Sequence, residues 1–212
     1  MDVYEAIYTR RDVREFDSRA VPKAALRRML EAAHRAPSVG FMQPWSFVLI
    51  RDVALRTSVK ESFERANARA AATYTGDRAA LYRSLKLEGI LDAPLNLCVT
   101  CDRLRGGNVL GRHNMPDTDV WSTCLAVQNL WLAARAERVG VGWVSIVEPE
   151  QLAHLLGLPE SVVPVAYLCI GYPARLPDQP LLETVGWRDR LALDELVFAD
   201  RYGARERDLF EP

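Results

Sequence analysis

Thr118-Asp-Val-Trp-Ser-Thr-Cys-Leu-Ala-Val-Gln-Asn-Leu-Trp-Leu-Ala-Ala-Arg-Ala-Glu-Arg138 is the longest helical stretch of this chain, and it is apolar nearly all round. Leu125, Ala126, Val127, Leu130, Trp131, Leu132, Ala133 and Ala134 leave it no wide polar face, so it must be buried on several sides. In a chain of 212 residues, a central helix or a subunit interface meets that demand. Gly140 is expected to close the helix as its C-terminal cap.

Helices and strands alternate around it. Val3 to Tyr8 is a short amphipathic segment, and Pro22 sits like a first-turn proline before a helix face of Leu26, Met29, Leu30 and Ala33 that ends ahead of Pro37. Trp45 to Ile50 reads as a strand. Leu55 to about Ala72 and Arg78 to Leu91 read as helices separated by Gly76. Leu95 to Thr100 is a buried strand leading into the loop Arg105-Gly-Gly-Asn-Val-Leu-Gly-Arg112. Val141 to Val147 is a strand, Glu150 to Leu156 a short helix, and Val162 to Gly171 a further buried strand. The proline-broken tail from Pro173 to Pro212 carries too little apolar periodicity to fold alone and is expected to pack on the body or on a partner. The class is α+β (mixed α/β), in one domain, with a dimer expected.

Composition narrows the functions open to it. Charged residues make up 26% and the net charge is -1, so there is no electrostatic case for binding nucleic acid or an anionic membrane. No run approaches the ~20 apolar residues of a membrane span, and the N-terminus does not read as a signal peptide. A cytoplasmic protein is the expectation. Cys98 and Cys101 spell C-x-x-C, but within a strand their offset of three turns them to opposite faces. They read, with Cys124 and Cys169, as reduced structural thiols. His34, His113 and His154 show no metal-ligand spacing and read as surface residues; no metal is expected. Gly140-x-Gly142 lacks a third glycine and precedes a strand, which rules out a dinucleotide fingerprint, and no P-loop, serine-hydrolase or zincin motif is present.

Arg10-Arg-Asp-Val-Arg14 carries the chemistry. Three arginines in five residues suit a phosphate, which a guanidinium grips through paired charge-assisted hydrogen bonds. A carboxylate is out of place in a mere anion site, because like charges about 8 Å apart repel by roughly 2 kcal/mol at an effective dielectric near 20. Asp12 therefore either tethers its arginine neighbours or handles a proton or hydride beside a bound ligand.

Four stretches together resemble the nitroreductase family, over about residues 3 to 200. Arg10 to Arg14 is similar to its first flavin-phosphate motif. Ala36-Pro-Ser-Val-Gly-Phe-Met-Gln-Pro-Trp45 is similar to its second, in which a loop touches the isoalloxazine ring. Gly140-Val-Gly-Trp-Val-Ser-Ile146 stands at the strand whose amides contact the flavin edge, and Trp187-Arg-Asp-Arg190 at the C-terminal basic pair of the phosphate clamp. Asp12 stands where ordinary members have serine, and Phe41 where they typically have asparagine. These departures, with Ser145, a helix expected over Arg83 to Gly89 and the run Ala126 to Glu137, resemble one branch of the family that destroys flavin.

That resemblance implies a nitroreductase-like FMN-binding fold, a mostly antiparallel central sheet flanked by helices, in a domain-exchanged homodimer. It spans 1–212 as one domain, with a helical insertion at about 61–90 and a C-terminal extension at about 173–212. The insertion is either a lid over the flavin or a plain stabilising element. The implied reaction is oxygen-dependent fragmentation of reduced FMN to 5,6-dimethylbenzimidazole and erythrose 4-phosphate, with FMN as substrate and dioxygen as co-substrate. NAD(P)H would enter indirectly, through a partner flavin reductase. Arg10, Arg14, Arg188 and Arg190 would hold the phosphate, with Arg11 and Val13 in the same motif. Pro37, Ser38, Val39, Gly40, Met42 and Gln43 would line the ring, with Phe41 drying the pocket, and the amides of Val144 and Ser145 would meet the reduced ring. Asp12 is implied as catalytic base or hydrogen acceptor near the ribityl chain, kept ionised by the arginines, and Ser145 as a catalytic residue orienting a ring group. Two other readings remain: an ordinary FMN-dependent NAD(P)H nitroreductase or flavin reductase, which needs neither Asp12 nor the insertion, and a non-enzymatic flavin carrier, which needs the arginines but not Asp12 with Ser145.

Overall fold

The structure, a computed structural model, describes residues 1–211. Its elements in chain order are α1 (Val3–Thr9), α2 (Lys23–His34), a 3-10 turn (Val39–Phe41), β1 (Trp45–Ile50), α3 (Val53–Ala71), α4 (Gly76–Ser84), β2 (Leu95–Asp102), α5 (Thr118–Ala136), β3 (Gly140–Val144), α6 (Pro149–Leu155), β4 (Val162–Gly171), α7 (Leu181–Thr184) and a second 3-10 turn (Leu193–Glu195). The four strands form one antiparallel sheet in the order β1-β2-β4-β3.

The near-continuous apolar run of β2 follows from its place at the centre, where both faces are covered. Leu95, Leu97 and Val99 point to the side of α2 and α5, where they join Met29, Leu130, Val141 and Leu168. Cys98 points the other way, into a cluster of Ile50, Val59, Phe63, Leu152 and Tyr167 under α3 and α6. The C-x-x-C pair is thus split across the sheet by the strand's two-residue period. All four cysteines are free, and burial pushes the Cys98 and Cys169 thiols up to about 12, which leaves them unreactive.

Helix α5 is the central helix that its composition demands, packing against α1, α2 and all four strands. Its burial is incomplete, however. Trp121 and Leu125, one turn apart, stay 50% and 47% exposed. The expected glycine cap is not used. Arg138 takes the left-handed position (φ 60°), and the Val139 N–H reaches back 2.8 Å to the Ala134 carbonyl. Gly140 instead opens β3, because a Cβ there would stand 2.8 Å from the Val13 side chain.

Other boundaries move for tertiary reasons. Pro22 caps α2 from outside its first turn. The helix expected to run to Leu91, and with it the helix over Arg83 to Gly89, stops at Ser84, where Leu85 turns extended (ψ 130°). Bonds from α3, with one local bond, hold the segment beyond Ser84. The Lys60 ammonium lies 2.7 Å from Glu88, the Glu88 carboxylate accepts from the Ile90 N–H at 2.6 Å, and buried Arg56 donates to the Ile90 and Ala93 carbonyls. Gly89 passes so close to Phe16 that a Cβ would sit 2.7 Å from its ring. Likewise β3 ends at Val144 and not at Val147, because its pairing with β4 runs out there.

By contact density the chain divides into Met1–Asp178 and a second compact unit from Gln179 onward. The second unit holds α7, the Leu193–Glu195 turn and a Phe198–Tyr202 ring contact at 4.8 Å. No helix among the described residues is long and apolar enough to cross a membrane.

Leu130 is fully buried between α5 and the sheet. Leu130→Ala is expected to destabilise the fold by about 2–5 kcal/mol, measured as a lower urea midpoint at unchanged slope.

Candidate functional site

The site begins where α1 ends. Arg10 leaves the helix in extended conformation, and residues 11–13 lie beside β3, with the Val13 N–H donating to the Val141 carbonyl at 3.0 Å. Gly140 and Gly142 make this approach possible. A Cβ on Gly142 would fall 2.0 Å from the Val13 carbonyl oxygen, so only glycine fits. Val13 is buried, and its side chain is the wedge that seats the segment.

Alternation along the segment turns Asp12 away from Val13. Asp12 Oδ1 accepts the Trp143 N–H at 2.9 Å, while Oδ2 pairs with Arg14 Nη2. Arg14 Nη1 is buried and finds no acceptor among the described residues. The Arg10 guanidinium lies 5.1 Å over the Trp131 ring, and Trp131 Nε1 donates to the Arg11 carbonyl at 3.3 Å. Arg11 is turned back onto the chain, donating to the carbonyls of Tyr8 (2.8 Å), Arg10 (2.7 Å) and Asp178. Of the three arginines, Arg11 therefore braces the turn, while Arg10 stacks on Trp131 and Arg14 pairs with Asp12. Trp131 and Trp143, whose rings are 6.4 Å apart, were not legible as site residues, because each fits equally well as core.

The balance of forces on Asp12 differs from the sequence expectation, in which the arginines dominate. Its side chain keeps 43% of its surface, yet loss of solvation raises its pKa above the usual carboxylate value, outweighing Arg14, the Trp143 amide and Arg10, which pull it down. The arginines do not win. The carboxylate is held where its charged form is disfavoured.

Ser145 stands exposed just past the end of β3. Backbone alternation puts its amide on the same free edge as that of Trp143, and buried Val144 faces the α3–α6 cluster.

The second stretch, 37–43, is a strained loop. Gly40, Phe41 and Gln43 all have left-handed backbones (φ 48°, 56° and 49°), and for a residue with a side chain this costs roughly 1–2 kcal/mol. Ser122 Oγ accepts the Val39 N–H and Ser38 Oγ accepts the Gln43 N–H, both at 3.0 Å, which pins the two ends. Pro37 and Gly40 are exposed, Met42 is buried, and Phe41 projects outward, 82% exposed. Arg188 and Arg190 belong to the second unit, where they line a hollow of about 650 Å³ with Leu182, Leu191 and Leu196. Between α3 and the segment after Ser145, Arg69 pairs with Glu148, and Ser62 Oγ donates to Gln151 at 2.8 Å. Among the described residues no group of three His, Cys, Asp or Glu side chains is arranged to hold a metal.

Arg14 with its unfilled donor and the β3 edge, where Asp12 holds the Trp143 amide, make one candidate surface, and the strained 37–43 loop makes a second. Comparison with protein families matches residues 7–172 to the nitroreductase family. This chain belongs to that family and is an oxidoreductase. Within it, the chain is 44% identical to a 5,6-dimethylbenzimidazole synthase of Rhodospirillum rubrum over 85% of its own length and 86% of that protein. It is 42% identical to a 5,6-dimethylbenzimidazole synthase of Rhodobacter capsulatus, over 88% and 91%. Among solved structures, an oxidized iodotyrosine deiodinase bound to FMN and 3-iodo-L-tyrosine superposes with a TM-score of 0.73 at 22% identity, covering 96% of this chain and 100% of that one. That likeness shows the shared fold.

With its pKa raised, native Asp12 holds a proton at pH values where the unfolded chain has lost it. Stability therefore falls as pH rises from the ordinary value of 3.8 through the raised one. Asp12→Asn is expected to melt at or above the wild-type temperature at pH 7, with the difference closing as pH is lowered through the carboxylate range. A variant that melts clearly lower at pH 7 would show instead that the Arg14 pair dominates.

Proposed function

We propose that this protein uses dioxygen to fragment reduced FMN, releasing 5,6-dimethylbenzimidazole and erythrose 4-phosphate, so that the flavin is consumed as substrate. The observation that carries the reading is the placement of Asp12: a carboxylate in the arginine motif, fixed on the β3 edge by the Trp143 N–H and the Arg14 guanidinium. A carboxylate fixed by a backbone amide and a guanidinium, at the edge of a candidate ligand surface, is placed to take part in chemistry. The two synthases at 44% and 42% identity support the same assignment.

The residues fit FMN on their own chemistry. Arg10 and Arg14, the latter with its unpartnered Nη1, supply donors for the phosphate. Ser38 and the backbone from Val39 to Gln43 are proposed to line one side of the ring, and Ser145, whose amide shares the outer edge with that of Trp143, the other. Reduced FMN, when bound, supplies the electrons that activate dioxygen. Asp12, anchored through Oδ1 to the Trp143 N–H, keeps its orientation while Oδ2 exchanges between Arg14 and a proton from the ribityl arm. A raised pKa suits that base, since it strengthens the affinity for the proton taken up. Ser145, exposed on the same edge, orients the reacting end by hydrogen bonding.

The wider arrangement accords with the same reading. The exposed Trp121 and Leu125 of α5 form the apolar seam of a homodimer, and the insertion at about 61–90 is proposed as a lid that keeps water from the reacting flavin. A separate flavin reductase supplies reduced FMN from NAD(P)H, in the cytoplasm.

Purified protein given FMN and a chemical reductant in air is expected to yield a fluorescent benzimidazole, identified by mass, with loss of FMN. Full recovery of FMN after many oxidation cycles would instead identify an ordinary recycling reductase. Asp12→Asn is expected to bind FMN with near wild-type affinity and to lower the yield by about 10²-fold or more; wild-type yield from this variant removes Asp12 from the role of base.

A further inference from the structure

The loop between β2 and α5 is built as a clasp. Arg103 Nε and Arg112 Nη2 lie 3.2 and 2.8 Å from the same oxygen, Oδ2 of Asp119, which is fully buried in the first turn of α5. One carboxylate therefore ties down both ends of the loop, and Gly106, Gly107 and Gly111 (φ 78°, 62° and 84°) let the chain between them double back. The clasp meets the strained 38–43 loop at two points. A Cβ on Gly40 would lie 2.7 Å from both the Leu110 carbonyl oxygen and Val109 Cγ1. Beside that contact, Arg105 Nη1 donates to the Gln43 carbonyl at 2.8 Å and the Trp45 carbonyl at 2.7 Å, while Nη2 donates to Ser46 Oγ at 2.9 Å.

Those two carbonyls face away from the sheet. The Pro44 carbonyl between them accepts from the Asp102 N–H of β2 at 2.8 Å, so Gln43 and Trp45 point to the unpaired edge. Without Arg105 neither would have this protein donor, and the stretch that includes left-handed Phe41 and Gln43 would lose the bond at its C-terminal end. A lysine cannot reproduce the contact, because three acceptors in different directions match a planar fork and not a single ammonium.

We propose that Arg105 is a positioning residue for the flavin-ring loop: by bridging the Gln43 and Trp45 carbonyls it holds Phe41 and Gln43 in the left-handed conformation that shapes the ring side of the site. Asp119, through Arg103 and Arg112, fixes the clasp from which Arg105 reaches. The inference rests on the FMN reading and concerns how the ring is held, not which products leave.

The test titrates FMN into apoprotein and records the visible circular dichroism of the bound ring, the melting temperature, and the benzimidazole formed per reduced flavin oxidised. Arg105→Ala is expected to weaken FMN binding about tenfold, to change the visible band, and to lower the yield per oxidised flavin several-fold while flavin oxidation itself continues. Arg105→Lys is expected to melt near wild type yet to share the altered band and lowered yield, which a loss of stability alone does not produce. It carries the test should the alanine variant fail to fold. Wild-type affinity, band and yield in the lysine variant overturn the proposal. If the wild-type protein itself makes no benzimidazole, the fragmentation reading fails, while affinity and band still decide the role of Arg105.

Discussion

The close approach of residues 11–13 to β3 is the constraint on which the rest of the site depends. A single backbone hydrogen bond, Val13 to Val141, and two glycines that leave room for it bring the arginine motif onto the sheet edge. The chemistry of Asp12 has its origin there. Its neighbour's side chain is driven into the core, so its own is turned to the amide of Trp143 and the guanidinium of Arg14. Were the segment free, the same five residues would be a solvated basic turn, with an aspartate of ordinary acidity.

The sheet edge and the helices around it share one economy of form. β3 lies at the end of the sheet, where its outer amides are not taken up by another long strand, and α5 crosses beneath to place Trp131 under Arg10. A recognition surface of backbone donors is thereby available without a loop built for it. The ring-side loop is the opposite case. It is held in a disfavoured backbone by side-chain bonds from Ser38, Ser122 and Arg105, so its shape is prepared before any ligand arrives.

Relatives and structure bear on different parts of this picture. The similarity to 5,6-dimethylbenzimidazole synthases extends over nearly the whole of each chain and reaches the choice of reaction. The likeness to solved structures near 20% identity reaches the fold alone, which also supports proteins acting on iodotyrosine. Asp12 lies between these levels, in a position and charge environment that the fold creates.

The amino-acid sequence by itself determined, to within two residues at their ends, the elements whose signal is local and strong: the apolar helix read as 118–138 and found at 118–136, the buried strands read as 95–100 and 162–171 and found at 95–102 and 162–171, and it also held the arginine motif with its aspartate. Their periodicity and composition suffice because each buries its own apolar pattern. Only the tertiary structure decided that the helix after Gly76 breaks at Ser84, that Arg138 and not Gly140 caps α5, and that Arg11 braces the chain while Arg10 stacks on Trp131 and Arg14 pairs with Asp12. It also decided that desolvation outweighs the arginines at Asp12, and that Arg105 reaches back to Gln43. Each of these is a balance between a residue's local preference and contacts made by residues tens of positions away, and such contacts exist only once the chain has folded.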